Sequence, residues 1–544
     1  MLMKLLFGSD PGALTVHCLS ELAALTIEFP DQRAFLIVPE QIKVQMERAY
    51  LETTQTAGLM MAEVLSFRRL AHRLLDETGL LPQQRIDAFG RRMLLFRVLK
   101  ENRAQMHSFG HLADRSGFLT EIDAVVGDLK RHSITAAQLR QAAAADCDTE
   151  KSLSNKLNDL AILLTGYNDA LLSHGLADSD DDLERLALLL EKIISFTDPA
   201  ALPFPYYRLK YLRRSHVFLS GFGFTRDFTP QEYRILNALK QLGVSLNIAV
   251  QADAMPTSEQ AVEAGPEAFL IGRRTLYHLE QRFSDCQSVL IEPGQRTPNL
   301  KVIDLADREA EIDYVAGEIR RLVQTDGYRY KDIAIALCEP HTQLALLRAA
   351  AQRYNLALFL DETRSLAGTS LLRYFLGLLD LPLRNWARDP LMTVLRSGLT
   401  SLEPTEVDLL ENDLLERGLF RRDRLFSRHT LAEPQPDDEA ARRIKNAVET
   451  VFEPMRVFTD KLKRSGTTAE CCQLIRKFCS EQGLAAKVES VAEQLRAKGE
   501  ADAALLLASA HSMLGEVLGQ LETIGGNLPI SLADLRDTLR SGLS

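Results

Sequence analysis

The hydrophobic positions of this chain change their period several times along its length. "KLLFG" (4–8) is a continuous apolar run closing on glycine and predicts a buried strand, and "ALTVHCLSELAALTIEF" (13–29) carries apolar residues at helical spacing. "RAFLIVPE" (33–40) repeats the strand pattern and is bounded by Pro39, and "EQIKVQMERAYLETT" (40–54) predicts an amphipathic helix. This βαβα order implies parallel strands covered by helices. From about residue 82 to 200 the period is helical throughout, as in "RRMLLFRVLKENRAQ" and "LSNKLNDLAILLTGYNDALL". Strand patterns then return in "HVFLSGF" (216–222) and "VSLNIAVQAD" (244–253).

A sheet that is interrupted by helices and then resumed predicts an α/β domain carrying a helical insertion. Its two sheet-forming parts are 1–82 and 206–298, and the insertion is 83–205. The proline-marked loop "IEPGQRTPNL" (291–300) leads to a second α/β start, spanning 299–375. There "KVIDLAD", "DIAIALCEP" and "LALFLDE" predict strands, and "EAEIDYVAGEIRRLVQTDG" a helix. Residues 376–544 again read as helical, ending in "LADLRDTLRSGLS" with no strand after it. The expected plan is therefore an α/β core with a helical insertion, drawn twice. The second copy is incomplete, as in a fragment or an early-terminating version of a longer protein.

At 544 residues, with 46% hydrophobic and 25% charged positions, the chain is long enough for several packed units and lacks the bias of a disordered protein. No apolar run reaches the length expected of a membrane span, and no basic segment with a cleavage site opens the chain. A cytoplasmic location without membrane contact is the default expectation. The net charge of −10 argues against a surface that grips nucleic acid throughout, so any nucleic-acid contact must be local. The seven cysteines (18, 147, 286, 338, 471, 472 and 479) are expected to be reduced thiols. "CCQLIRKFCS" contains no CxxC pair and no nearby histidine to complete a tetrahedral set, which favours buried thiols over a metal.

"FGSDPGALT" has the strand–turn–helix setting of a phosphate-binding loop. Such a loop needs glycines so that backbone N–H groups converge on phosphate, a lysine for its charge, and Ser or Thr for magnesium. Set against that pattern, Gly8 stands at the first glycine, Ala13 replaces the second although Gly12 lies beside it, Leu14 replaces the lysine, and Thr15 remains. A companion strand should end in two carboxylates that hold magnesium and orient water. In the best candidate, "HVFLSGFGFT", Ser220 and Gly221 occupy those places. Both halves of the phosphate and metal machinery are thus expected to be degenerate.

Five segments in order carry a resemblance: "AFLIVPEQIKVQMERAYLE" (34–52), "AEVLSFRRLAHRLL" (62–75), "VFLSGFGFTRDFTPQEYRILNAL" (217–239), "REAEIDYVAGEIRRLVQTDGYRYKDIAIAL" (308–337) and "ALFLDETRSL" (357–366). Together they resemble the AddB/RexB family, the second subunit of bacterial ATP-dependent helicase/nucleases that process broken DNA ends. The resemblance implies a superfamily 1 helicase-like α/β fold, with two RecA-like parallel-sheet domains each bearing a helical insertion, the second incomplete here. It implies an AddA/RexA-type motor subunit as heterodimeric partner, and single-stranded DNA and duplex ends as further partners. It implies no cofactor in this chain: ATP and magnesium belong to the motor, and the family's iron–sulfur cluster belongs to a C-terminal nuclease domain before which the chain stops. No catalytic or metal residue carries over.

In helicases of this fold, loops after strands meet single-stranded DNA, which makes Gln41, Ser66, Phe67, Arg68 and Arg69 the candidate contacts. Gln and Ser can donate to phosphate, Arg neutralises it, and Phe offers a stacking face. The competing reading places Phe67 and Leu70 in a core at helical spacing, with Arg68 solvated. Two basic runs, "RLKYLRR" (208–214) and "FRRDRLFSRH" (420–429), suit a DNA groove, a solvated face or a subunit interface. The acidic run "DSDDDLE" (178–184) reads as a helix N-terminus. Three functions follow: a catalytically silent, DNA-binding part of an AddB/RexB-type subunit; an assembly scaffold without DNA contact; or a motor with a non-standard nucleotide site.

Overall fold

The computed structural model describes residues 3–543 apart from 56–57, 59–60, 83, 113–115, 146–150, 197–201, 284, 294–298, 361–365, 431, 436 and 528. Cys147, part of the loop 291–300 and the end of "ALFLDETRSL" therefore lie outside the described residues. Two units are distinguished, 1–294 together with 366–544, and 295–365.

The larger unit is built on β1 (Met3–Gly8), β2 (Ala34–Ile37), β3 (Ala62–Leu65), β4 (Gln84–Ile86), β5 (Leu176–Asp178), β6 (His216–Phe222), β7 (Ser245–Gln251) and β8 (Cys286–Leu290). Six of these form one parallel sheet in the order β3-β2-β6-β7-β1-β8. Both sheet faces are buried, which is why β1, β2, β6 and β7 read as continuous apolar runs and not as alternating ones. Leu5, Phe35, Ile37, Leu219 and Ile248 point to one core, and Leu6, Leu36, Phe218 and Ala249 to the other. The second face is covered by α1 (Pro11–Glu28) and α2 (Lys43–Thr54). The first is covered by α3 (Phe67–Glu77) and by helices that follow later in the chain.

Helices α4 (Ala88–Glu101), α5 (Ser116–Arg131), α6 (Ala136–Ala145), α7 (Lys151–Ser173) and α8 (Asp182–Ile194) lie between β3 and β6. The insertion is not helical throughout: β4 and β5 pair in parallel near its two ends, in strands of three residues that are too short to show a period. It also splits between two cores. α8 joins α3, α9 (Pro230–Gln241) and α11 (Leu270–Arg282) against the sheet, the short α10 (Glu259–Glu263) preceding α11. Helices α4 to α7 instead share one continuous core with the helices after residue 366, Leu95, Leu99 and Tyr167 belonging to the same cluster as Phe375, Trp386, Phe452 and Leu518. The two helical stretches expected as separate insertions thus bury their apolar faces in common.

One helix of that core, Ala501–Gly525, is long and apolar enough by length and composition to cross a membrane, contrary to the expectation that no segment would be. Its face bearing Leu507, Leu514, Leu518 and Leu521 is buried in the shared core.

The smaller unit holds α12 (Arg308–Thr325) and α13 (Pro340–Tyr354), packed through Ile312, Ala316, Leu347 and Ala350. The three strands expected here do not form a hydrogen-bonded ladder among the described residues: 301–305, 333–337 and 356–360 are unpaired. Period-two burial is nonetheless present, since Ile335 and Leu337, and Leu356, Leu358 and Leu360, rest on the helix pair. Parallel sheets are stable when both faces are covered. In this unit Val302 and Phe359 stay exposed.

Candidate nucleic-acid interface

The turn from β1 to α1 is shorter than a phosphate loop. β1 ends at Gly8 and α1 begins at Pro11, so only Ser9 and Asp10 lie between them, whereas a phosphate loop has about four residues between its glycines. Gly12, Ala13, Leu14 and Thr15 are consequently already helical. Leu14 points into the core beneath α1, packed with Cys18, Leu19 and Leu22, away from the turn. The Thr15 hydroxyl donates to the Pro11 carbonyl oxygen at 2.8 Å. Asp10 caps α1, its carboxylate accepting from the Gly12 N–H at 2.8 Å. A helix N-terminus attracts anions through its free N–H groups and positive dipole end, and here a side-chain carboxylate already takes that place. A Cβ on Gly8 would lie 2.5 Å from the Ile291 carbonyl oxygen, so only glycine fits where β1 ends beside the strand that pairs with it.

β6 is separated from β1 by β7, which puts Ser220 and Gly221 about 10 Å from the β1–α1 turn at ordinary strand spacing. Ser220 is buried. Gly221 belongs to a different site, an open cleft of about 760 Å³ at the carboxyl ends of β2, β3 and β6. Gln41, Ser66, Phe67 and Arg68 line the same cleft, so four of the five candidate DNA contacts converge there. Arg69 lies outside the lining and pairs with Glu40 at 2.6 Å. Gly221 and Gly223 both adopt positive φ, and a Cβ on either would meet Ile42 at 2.8 Å or Val250 at 2.5 Å. Only glycine lets the chain thread past these side chains.

Each candidate side chain has a defined local role. Ser66 caps α3, accepting from the Arg69 N–H, and donates its hydroxyl to Glu40. That hydrogen bond, aided by Arg69, holds the Glu40 carboxyl below its usual range. Phe67 is only 4% exposed and interlocks with Phe222 and Phe228, ring centres 5.7 and 6.2 Å away. Its ring is a wall of the core, in line with the competing reading, and offers no free stacking face. The exposed aromatic of this loop is Phe224, a residue that sequence reasoning passed over although its flanking glycine in "GFGFT" was a signal. Arg68 and Gln41 are exposed. The cleft as a whole is not basic: Glu40, Asp128, Asp180, Asp227 and Glu232 stand against Arg68, Arg131 and Arg226.

The acidic run 178–184 is more than a helix N-terminus. Asp180 accepts from Arg68 at 2.9 Å and also from Arg91 of α4. Lys130 of α5 donates to Asp178 at 3.1 Å and to Asp181 at 2.8 Å, the Tyr167 hydroxyl reaches Asp178 at 2.8 Å, and Arg85 pairs with Asp182 at 2.9 Å. Burial opposes the charge of Asp178, yet Lys130 and the surrounding donors outweigh it and its pKa is lowered. Burial prevails at Asp181 and Asp182, whose pKa values are raised. This network joins the cleft wall at Arg68 to the inserted helices. Sequence reasoning missed it because its partners lie up to 112 residues apart.

The two basic runs differ. In 420–429, Arg422 pairs with Asp460, Arg424 donates to the Gly418 carbonyl, and Phe426 packs on Trp386, which is a structural surface. The run 208–214 leads into β6 at the opposite edge of the sheet from the cleft. Cys471 and Cys472 are buried, and burial pushes the Cys472 thiol up to about 12.

A parallel sheet interrupted by helices after β3, with an open cleft at its carboxyl edge and a self-capped turn where a nucleotide loop would stand, defines a RecA-like α/β protein of helicase-like build. The chain belongs to the AddB family: the family profile described as "ADDB, N-terminal" matches residues 8–301, more than half of it. It is similar to the proteins named as B subunits of an ATP-dependent helicase/deoxyribonuclease in Caldanaerobacter subterraneus subsp. tengcongensis (24% identity, 98% of this chain, 47% of the relative) and Geobacillus kaustophilus (27%, 100% and 49%). The protein of the same name from Clostridium kluyveri is 23% identical over 100% of this chain and 49% of its own length. The chain thus spans about half the length of these curated relatives.

Proposed function

We propose that this chain is the helicase-like, catalytically silent part of an AddB/RexB-type subunit of an ATP-dependent helicase/exonuclease acting at DNA double-strand breaks in the cytoplasm. It binds single-stranded DNA in the cleft after β2, β3 and β6, scanning it for a recombination signal, and holds an AddA/RexA-type motor subunit that uses ATP and magnesium. The observation that carries this reading is the convergence of Gln41, Ser66 and Arg68 on one open cleft at the carboxyl edge of the sheet, where α/β proteins bind ligands. Exposed Phe224, between the cleft-lining residues Gly223 and Thr225, supplies at the cleft's border the stacking face that buried Phe67 lacks. Contact with phosphate would proceed by exchange, the DNA replacing Asp180 on Arg68 and Glu40 on Arg69. Fluorescence anisotropy with a labelled oligonucleotide tests it. The expected result is binding at low salt that falls linearly in log–log form as salt rises, by about 0.7 per phosphate contact; no binding at low salt overturns it.

The surplus of carboxylates in the cleft favours a second reading, an assembly scaffold that joins subunits without DNA contact. Intact partner binding with no oligonucleotide binding selects that reading. DNA-stimulated ATP hydrolysis by the chain alone would overturn both in favour of an unconventional motor.

A further inference from the structure

The amino-terminal edge of the same sheet carries a second exposed surface. The 3-10 segment Tyr206–Arg214 leads into β6 and is anchored from below: Leu209 and Leu212 are buried, the Tyr211 hydroxyl donates to Glu77 at 2.9 Å, and Arg208 donates to the Glu77 carbonyl at 2.9 Å. What remains outside is Phe204, 70% exposed, with Tyr207 and Leu80, each 45% exposed. The Arg208 guanidinium lies 5.4 Å from the centre of the Phe204 ring, and the Tyr207 ring is tilted beside it at 6.3 Å. Lys210 and Arg214 are exposed and make no ion pair among the described residues, whereas the arginines of the 420–429 run are largely engaged.

We infer that this surface docks an acidic, apolar-containing segment of the partner motor subunit, an inference that rests on the subunit reading above. Exposed aromatic residues with arginine are the composition of interface cores, and the two free cations call for carboxylates on the occupant. A nucleic-acid strand fits less well. One side of the Phe204 ring is already taken by the Arg208 guanidinium, and ligand sites of parallel sheets lie at the opposite edge.

The test measures the affinity of the full chain for the motor subunit of the same complex, with wild type, Phe204→Ala/Tyr207→Ala and Lys210→Glu/Arg214→Glu. These side chains are surface-exposed, and a thermal melt confirms folding of each variant. The expected result is a loss of about tenfold or more in partner affinity for each double variant, with oligonucleotide binding within twofold of wild type. Unchanged partner affinity overturns the inference and leaves the proposed function standing. A selective loss of oligonucleotide binding overturns it in favour of a nucleic-acid surface. Wild type that fails to bind the motor subunit overturns the partner reading itself.

Discussion

The turns along one sheet edge fall into two opposite kinds. After β1, two residues and an aspartate cap close the chain upon itself, and the position that would hold a lysine is spent on the core. After β2, β3 and β6, positive-φ glycines and a buried phenylalanine cluster hold a cleft open, with arginines in ion pairs at its border. A parallel sheet offers a row of equivalent carboxyl-edge positions. What decides which becomes a site is whether local donors are already satisfied from within.

The sharpest challenge to this contrast is Leu14→Lys. An ammonium placed against Cys18, Leu19 and Leu22 should destabilise the chain by about 3–5 kcal/mol in denaturant unfolding, because the turn is too short to deliver it to a phosphate. If phosphate-release assays detected ATP hydrolysis instead, the first turn would be a dormant nucleotide site. Asp180→Ala comes next. It leaves the Arg91 charge without one of its carboxylates and should cost about 3 kcal/mol in stability, read as a lower melting temperature. Stability close to wild type would mean that the cleft wall is held without the ionic network.

Arg68→Gln/Arg69→Gln removes both charges without setting a carboxylate against Asp180 or Glu40; with folding checked by thermal melt, it should weaken oligonucleotide binding by about tenfold, or about 1.4 kcal/mol, with a shallower salt dependence. An unaltered affinity would make both kinds of turn silent and erase the comparison. The smallest effect is that of Asp10→Ala, which removes the α1 cap and should cost about 1 kcal/mol by thermal melt, without creating nucleotide affinity in a titration with an ATP analogue.

Much of the first sheet was legible because strands buried on both faces leave uninterrupted apolar runs, as in β1, β2, β6 and β7. β8 was not, since "CQSVL" forms an edge strand with its polar residues exposed, and β3 was hidden by Glu63 within "AEVL". The smaller unit marks where periodicity stops being informative, for alternation reports which side chains are buried but not whether the backbone has found a neighbour. Within the cleft, Gln41 could be placed because it follows a legible strand, whereas Ser66 and Arg68 were placed through the family resemblance of "EVLSFRRL". Phe67 could not be separated from a stacking residue by type alone, since its fate depends on Phe222 and Phe228, more than 150 residues away. The role of the acidic run depends in the same way on Arg68, Arg91 and Lys130, which no local pattern connects to it.

The core shared by the two helical stretches sets a schedule for biosynthesis. Helices up to Leu171 share one core with buried residues that begin only at Leu371. The intervening 200 residues (371 − 171) take about 10–40 s to synthesise at ordinary translation rates of roughly 5–20 residues per second. During that interval the sheet can close on its own helices, while Leu95, Leu99 and their neighbours wait on the ribosome with apolar surface uncovered. A nascent chain stalled near residue 350 should therefore bind a hydrophobic dye or a holding chaperone, and one extended past residue 540 should not.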